Sequence, residues 1–165
     1  MPELTKKLLE ALLKQCEKEF AASNSYFYCS NWFAHNNFPG FAAYFSKESS
    51  TEYQHGKEIV DYLLKRNHLP LVLPLKVATH EMDFKQPIEL FIFYSNREDA
   101  NFESLNELAG ISKEENDFAT MEFLNKFLKE QVTSCDEARG LFQKAFQYNK
   151  MPQLFYHLDH ELRKK

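Results

Sequence analysis

The sequence predicts an all-α protein: a four-helix bundle with a long crossover between helices two and three and a short fifth helix at the C-terminus. Three observations predict it. Long stretches carry apolar residues at the three-and-four spacing of one helical face. The four glycines and six prolines are few, and most prolines fall near the termini or between residues 70 and 87, so these stretches run without a breaker. Between residues 68 and 86 the helical period disappears for long enough to carry the chain back along the bundle. At 165 residues, 44% hydrophobic and 27% charged, the chain has the material for one full core, so residues 1–165 are expected to form a single domain.

The first helix is expected from about Glu3 to Asn36, with the stripe Leu12, Cys16, Glu19, Ser23, Tyr26, Ser30 and Phe33, broken by Asn36-Asn37-Phe38-Pro39-Gly40. The second, about Phe41 to Arg66, repeats the pattern with Phe45, Glu48, Glu52, His55, Ile59 and Tyr62. Residues 68 to 86 read as an extended connection. Roughly fifteen extended residues at about 3.3 Å each reach the length of a helix of ~25 residues, so helix three can start at the far end and run parallel to helix two. Helix three spans about Pro87 to Ala109, with Pro87 in its first turn and Phe91, Tyr94, Glu98, Phe102 and Leu105 on one face. Gly110-Ile111-Ser112 is expected to end it, and Ser112 with Glu115 resembles a capping box opening helix four. Helix four runs to about Tyr148 through Leu124, Phe127, Gln131, Ser134, Ala138 and Phe142; a short amphipathic helix follows Pro152.

The net charge of -4, with Lys and Arg spread out, gives no electrostatic footprint for nucleic acid. No run reaches the roughly 18 apolar residues of a membrane span, and Met1 to Lys7 lacks a signal-peptide apolar region, so a soluble protein is expected. Cys16, Cys29 and Cys135 are odd in number and widely spaced; they read as core or interface thiols in a reducing compartment, not as a disulfide or C-x-x-C metal motif.

The apolar stripes are interrupted at matching places. Glu52-Tyr53-Gln54-His55 is an E-x-x-H, which puts a carboxylate and an imidazole side by side on one helical face. Glu19, Glu98 and Gln131 each stand mid-stripe in one of the other three helices. A carboxylate on an apolar face is costly unless paired or metal-bound, and a shared cation pair accounts for all the positions at once. Oxygen-rich ligands with one imidazole suit iron, and the lack of thiolates argues against structural zinc.

The pattern Glu19 … Glu52-x-x-His55 … Glu98 … Glu130-Gln131, with Tyr26 two turns after Glu19 and the long crossover, resembles ferritin across nearly the whole chain, at the length of bacterial or algal members. The resemblance implies a non-haem subunit with a heavy-chain-like ferroxidase centre. Glu19, Glu52 and His55 fall on the first iron's ligands, and Glu52 and Glu98 on the second's. Gln131 falls on a glutamine that orders solvent at the centre, and Tyr26 on a tyrosine proposed to take part in electron transfer. It implies an enzyme that oxidises Fe2+ with O2 and stores ferric oxide mineral inside a hollow 24-subunit shell. The compartment implied is the cytoplasm, or a plastid if a transit peptide has been removed.

The departures shape the expectations. Thr51, Gln54 and Lys57 replace inward-facing glutamates, depleting the proposed nucleation patch; Thr133 and Ser134 replace acids that complete an extra iron site. Tyr53 stands where bacterioferritin has its haem methionine and Glu130-Gln131-Val132-Thr133 replaces that family's second E-x-x-H, so no haem is expected. Met121 and Leu124 occupy the threefold-channel acid positions, with Asp117 and Glu122 as possible substitutes. Glu130 is weighed as a transient iron ligand against a cavity-facing role, and Glu48 is expected to be solvated or at an interface. Tyr26 is weighed as a core tyrosine bonded to a carboxylate, with or without a redox role. His157 and His160 are expected on an exposed face, and His35, His68 and His80 in surface or capping roles. The alternatives are an iron-binding cage or bundle without turnover, and a rubrerythrin-like di-iron oxidase or peroxidase.

Overall fold

The computed structural model describes residues 3–71 and 82–163. Among them the elements are α1 (Lys6–His35), α2 (Pro39–Lys65), α3 (Pro87–Glu114), α4 (Phe118–Tyr148) and α5 (Pro152–Leu162). Much of the expected crossover, and His80 within it, lies outside the described residues.

The direction of the chain is visible in what meets what. Phe41 near the start of α2 packs on Phe91 near the start of α3, ring centroids 5.0 Å apart. Ile59 and Leu63 further along α2 share a cluster with Leu105 and Leu108 of α3. The two helices therefore run parallel, which requires the crossover. Cys16 of α1 bonds to the Gly56 carbonyl (3.5 Å), and Phe33 meets Phe41 (5.1 Å), so α1 is antiparallel to α2.

Helix ends follow local chemistry. Thr5 Oγ1 accepts from Leu8 N (3.2 Å), which starts α1 two to three residues later than expected. α2 begins at Pro39 rather than Phe41, because proline loses nothing in the first turn of a helix. α3 passes straight through Gly110 and ends at Glu114. Ser112 is no cap there: it lies within the helix, fully buried, its hydroxyl donating to the Leu108 carbonyl (3.2 Å). The stop is Asn116 at φ 54, with Asp117 N bonded to the Ser112 carbonyl (2.9 Å). Asn37 (φ 62) and Asn67 (φ 61) close α1 and α2 in the same left-handed way. Asp117 then caps α4, accepting from Thr120 N at 2.9 Å. A capping box does occur, but at α3, where Glu89 Oε2 accepts from Gln86 N (3.0 Å).

α2 has no side-chain cap of its own, and α5 supplies one. The buried Asp159 accepts from Phe41 N at 2.7 Å. The approach depends on Gly40, where a Cβ would sit 1.7 Å from the Asp159 carbonyl oxygen.

The core is in two halves. One is aromatic, built on Phe33, Phe41, Phe45, Phe91, Tyr94 and Phe155; the other is mainly aliphatic, with Leu8, Leu12, Ile59, Leu63, Leu105 and Leu124. Glu19, Glu52, Glu98 and Gln131 fall, along their helices, between these halves, and all four are buried. Each fully buried Leu or Phe contributes about 1.5–3 kcal/mol. That packing above and below offsets the desolvation of a polar layer in the middle.

Candidate metal centre

Three ligand atoms converge, one each from Glu19, Glu52 and His55, all within 4.8 Å of one another. The last two meet because residues three apart on a helix face the same way. His55 Nδ1 lies 3.1 Å from Glu52 Oε2 and 3.9 Å from Glu19 Oε2. Glu19 Oε2 is buried and receives no hydrogen bond, so this oxygen is presented to the centre without a partner.

Glu98 closes the layer from α3. Tyr26 Oη donates to its Oε1, and Gln131 Nε2 donates to its Oε2 (2.7 Å) and to its main-chain carbonyl (3.0 Å). The expected core role of Tyr26 is thus met. Glu130 is solvent-exposed, yet its Oε2 lies 3.3 Å from His55 Nε2 and its Oε1 3.9 Å from Lys126 Nζ. Beside it a cavity of about 380 Å³ between α2 and α4 is lined by Lys47, Thr51, Gln54, His55, Lys126 and Glu130, among others.

The electrostatics are those of a site short of positive charge. Glu19 is pushed up to about 8, first by burial and then by the neighbouring Glu52 carboxylate. Glu52 is raised to about 7 by burial, with further repulsion from Glu98 and Glu48, while Glu19 and Arg97 act the other way. Glu98 is raised by burial against the donations of Tyr26 and Gln131. A cation bound among them would replace the missing water and relieve the repulsion. The donor set, carboxylates and one imidazole with no thiolate, fits iron.

The sequence matches the ferritin-like domain family over residues 9–146, which is most of the chain. The chain belongs to the ferritin family. A bacterial non-heme ferritin of Staphylococcus saprophyticus is 30% identical over 145 residues, 88% of this chain and 83% of that protein. Its counterpart in Staphylococcus aureus is likewise 30% identical, over 146 residues, 88% of this chain and 84% of the relative. Among solved structures, a PmFTN variant soaked in iron superimposes with a TM-score of 0.90 at 33% identity, covering 94% of this chain and 98% of the other. An open pore ferritin from Archaeoglobus fulgidus reaches a TM-score of 0.93 at 21% identity, covering 99% of each chain, and speaks for the fold alone.

Other sequence expectations fare unevenly against this ferritin framework. Glu48 is not simply solvated: it is half-buried, accepts from Tyr94 Oη (2.8 Å), and has its carboxyl raised, first by burial. Asp117 is engaged within the subunit, where Arg66 donates to both its oxygens (3.1 and 2.7 Å). His157 and His160 lie on an exposed face of α5, His157 3.4 Å from Glu161. Sequence reading missed Gln15, Asn101 and Ser104, which hydrogen-bond to Glu19, to Gln131 and to one another. Gln15, one turn before Glu19, carried a usable signal; Asn101 and Ser104 looked like ordinary polar positions. No helix is long and apolar enough to cross a membrane among the described residues.

Proposed function

We propose that the chain is a ferroxidase subunit of an iron-storing ferritin, taking Fe2+ as substrate at Glu19, Glu52, His55 and Glu98. The observation that carries this reading is the convergence of Glu19, Glu52 and His55, with an unpartnered buried oxygen on Glu19, inside a bundle of this family. Glu52, next to His55 on one side and within electrostatic reach of Glu98 on the other, is the carboxylate placed to be shared if two irons bind. Anionic ligands favour Fe3+ over Fe2+ and so make electron transfer to O2 easier. Two Fe2+ give one electron each, and O2 with two protons leaves as hydrogen peroxide. The likeness to iron-soaked PmFTN variants and to bacterial non-heme ferritins supports iron storage, and we read the subunit as one of a hollow 24-subunit shell that holds ferric mineral. Phe27 (58% exposed), Phe146 (66%) and Phe118 (70%) are apolar surface suited to such contacts.

The test is aerobic Fe2+ oxidation by apo-protein, at two and then many irons per subunit, beside Glu52→Ala. Fast oxidation that persists through repeated additions and collapses in the variant supports a catalytic centre. A parent as slow as Glu52→Ala refutes it, and a parent that turns over once and stops indicates an iron-binding cage.

A further inference from the structure

We propose that Asn101 is a positioning residue, the middle of a directed chain of side-chain amides that orients Glu19 and Glu98 at the metal site. The inference rests on the reading of those carboxylates as iron ligands.

The chain can be followed bond by bond. Lys18 Nζ donates to Ser104 Oγ (2.6 Å), and Ser104 Oγ donates to Gln15 Oε1 (2.6 Å). Gln15 Nε2 donates both to Glu19 Oε1 (2.6 Å) and to Asn101 Oδ1 (2.7 Å). Asn101 Nδ2 donates to Gln131 Oε1 (2.9 Å), with a longer contact to Glu19 Oε1 (3.5 Å). Gln131 Nε2 ends the chain on Glu98, at Oε2 (2.7 Å) and at the main-chain carbonyl (3.0 Å).

Its direction follows from the Glu98 end. A main-chain carbonyl can only accept, so Gln131 must turn its NH2 toward Glu98 and its Oε1 toward Asn101. Asn101 then meets Gln131 with its NH2 and Gln15 with its Oδ1, so Gln15 turns its NH2 to Asn101 and its Oε1 to Ser104. The Ser104 hydroxyl, accepting from Lys18, has its own proton available for that Oε1, so every amide has one self-consistent orientation, whatever the protonation of the carboxylates. Turning any one of them over would set carbonyl against carbonyl or NH2 against NH2 in a layer that is buried at Gln15 and Gln131 and partly buried at Asn101.

The consequence falls on the ligands. Glu19 has Oε1 occupied by Gln15 and Oε2 left free toward Glu52 and His55. Glu98 has one oxygen held by Tyr26 and the other by Gln131. The amide chain thus selects which Glu19 oxygen faces the metal and fixes the rotation of both carboxylates before iron arrives. Outer partners of this kind orient metal ligands, and their loss typically weakens binding by 10–100-fold. Asn101 couples the Glu19 branch to the Glu98 branch, so its removal disturbs both.

The test uses Co2+, which does not turn over, added to the full-length apo-protein and followed by calorimetry and by visible ligand-field absorption. Asn101→Leu should bind Co2+ about tenfold or more weakly, with an altered absorption band, while helix content stays that of the parent. Ser104→Ala should weaken binding several-fold, and Ser104→Thr, which keeps the hydroxyl, should recover the parent's affinity and spectrum. If Asn101→Leu does not fold, the Ser104 pair decides. Parental affinity and spectrum in Asn101→Leu, or in Ser104→Ala where only that variant folds, would overturn the proposal and leave the metal centre intact. A parent that takes up no Co2+ would remove the metal-centre reading and this inference with it.

Discussion

The two ring nitrogens of His55 face carboxylates of opposite setting: Nδ1 lies 3.1 Å from the buried Glu52, and Nε2 lies 3.3 Å from the exposed Glu130. A neutral imidazole carries one N–H, so it can donate to one of these carboxylates and leaves its other nitrogen free to ligate. Glu130, on the solvent side, can therefore hold the ring in place without being buried in the centre. Glu130→Ala is predicted to loosen the ring and weaken Co2+ binding by about tenfold, whereas His55→Ala should remove a ligand and weaken it much further. Co2+ calorimetry on both variants checks the order; equal affinity in Glu130→Ala and the parent would exclude this role.

Stability should depend on pH with a sign set by the buried acids. Glu19 and Glu52 sit at about 8 and about 7 against an ordinary 4.5, because burial first, and then neighbouring carboxylates (Glu52 for Glu19, Glu98 and Glu48 for Glu52), favour their neutral forms. Between those limits the folded apo-protein holds protons that the unfolded chain has released, so stability falls as pH rises. It is fully present below about 4.5 and is lost through pH 7 to 8. Asp117 has the opposite sign: the Arg66 guanidinium holds its carboxyl down, so that contribution is lost in acid. The melting temperature of apo-protein is predicted to drop from pH 6 to pH 8.5, and Co2+ should restore it most at the alkaline end. A flat profile in this range would contradict the charge-poor centre described above.

Asp117 ties two helices together. Its oxygens accept from Arg66 of the α2 C-terminus and from Thr120 N of α4, and Arg66 Nη1 also reaches Tyr62 Oη (2.7 Å) and Thr120 Oγ1 (3.1 Å). Asp117→Ala removes both the α4 cap and a partner of Arg66, and should destabilise by about 1–2 kcal/mol in chemical denaturation. Asp117→Asn, which retains a capping oxygen, should lose less. Iron oxidation by either variant, measured well below its melting point, should match the parent.

Gly40→Ala should dislodge α5. The new methyl would meet the Asp159 carbonyl oxygen at 1.7 Å, a main-chain atom that cannot swing aside. The α5 helix must move, and with it goes the Asp159 cap on Phe41 N. A loss of about 1–3 kcal/mol is expected, with faster amide exchange in α5 and the first turn of α2 while the centre of the bundle stays protected. Parental exchange in α5 would show that the approach is not tight.

Much of the bundle was legible because helical period is a local property. Every residue of the predicted α1 stripe, from Leu12 to Phe33, is buried, and Glu52 and His55 adjoin because positions three apart share a face. The start of α4 was legible less clearly. Gly110 looks like a stop, but a helix tolerates an exposed glycine, and the true stop was an asparagine able to take the left-handed conformation at Asn116. Asn37 and Asn67 carry the same signal, visible in hindsight at two earlier helix ends.

The sequence by itself determined which residues stand on the inner faces of the four helices, and so which acids and which histidine were available to a metal. The tertiary structure decided how those residues are held. That Asn101 lies between Gln15 and Gln131, that Arg66 meets Asp117, and that Asp159 caps Phe41 all depend on contacts between residues 30 to 118 positions apart. Such contacts depend on how far each helix is rotated and slid against its neighbours. The apolar packing of the whole core fixes those offsets, and no local period encodes them.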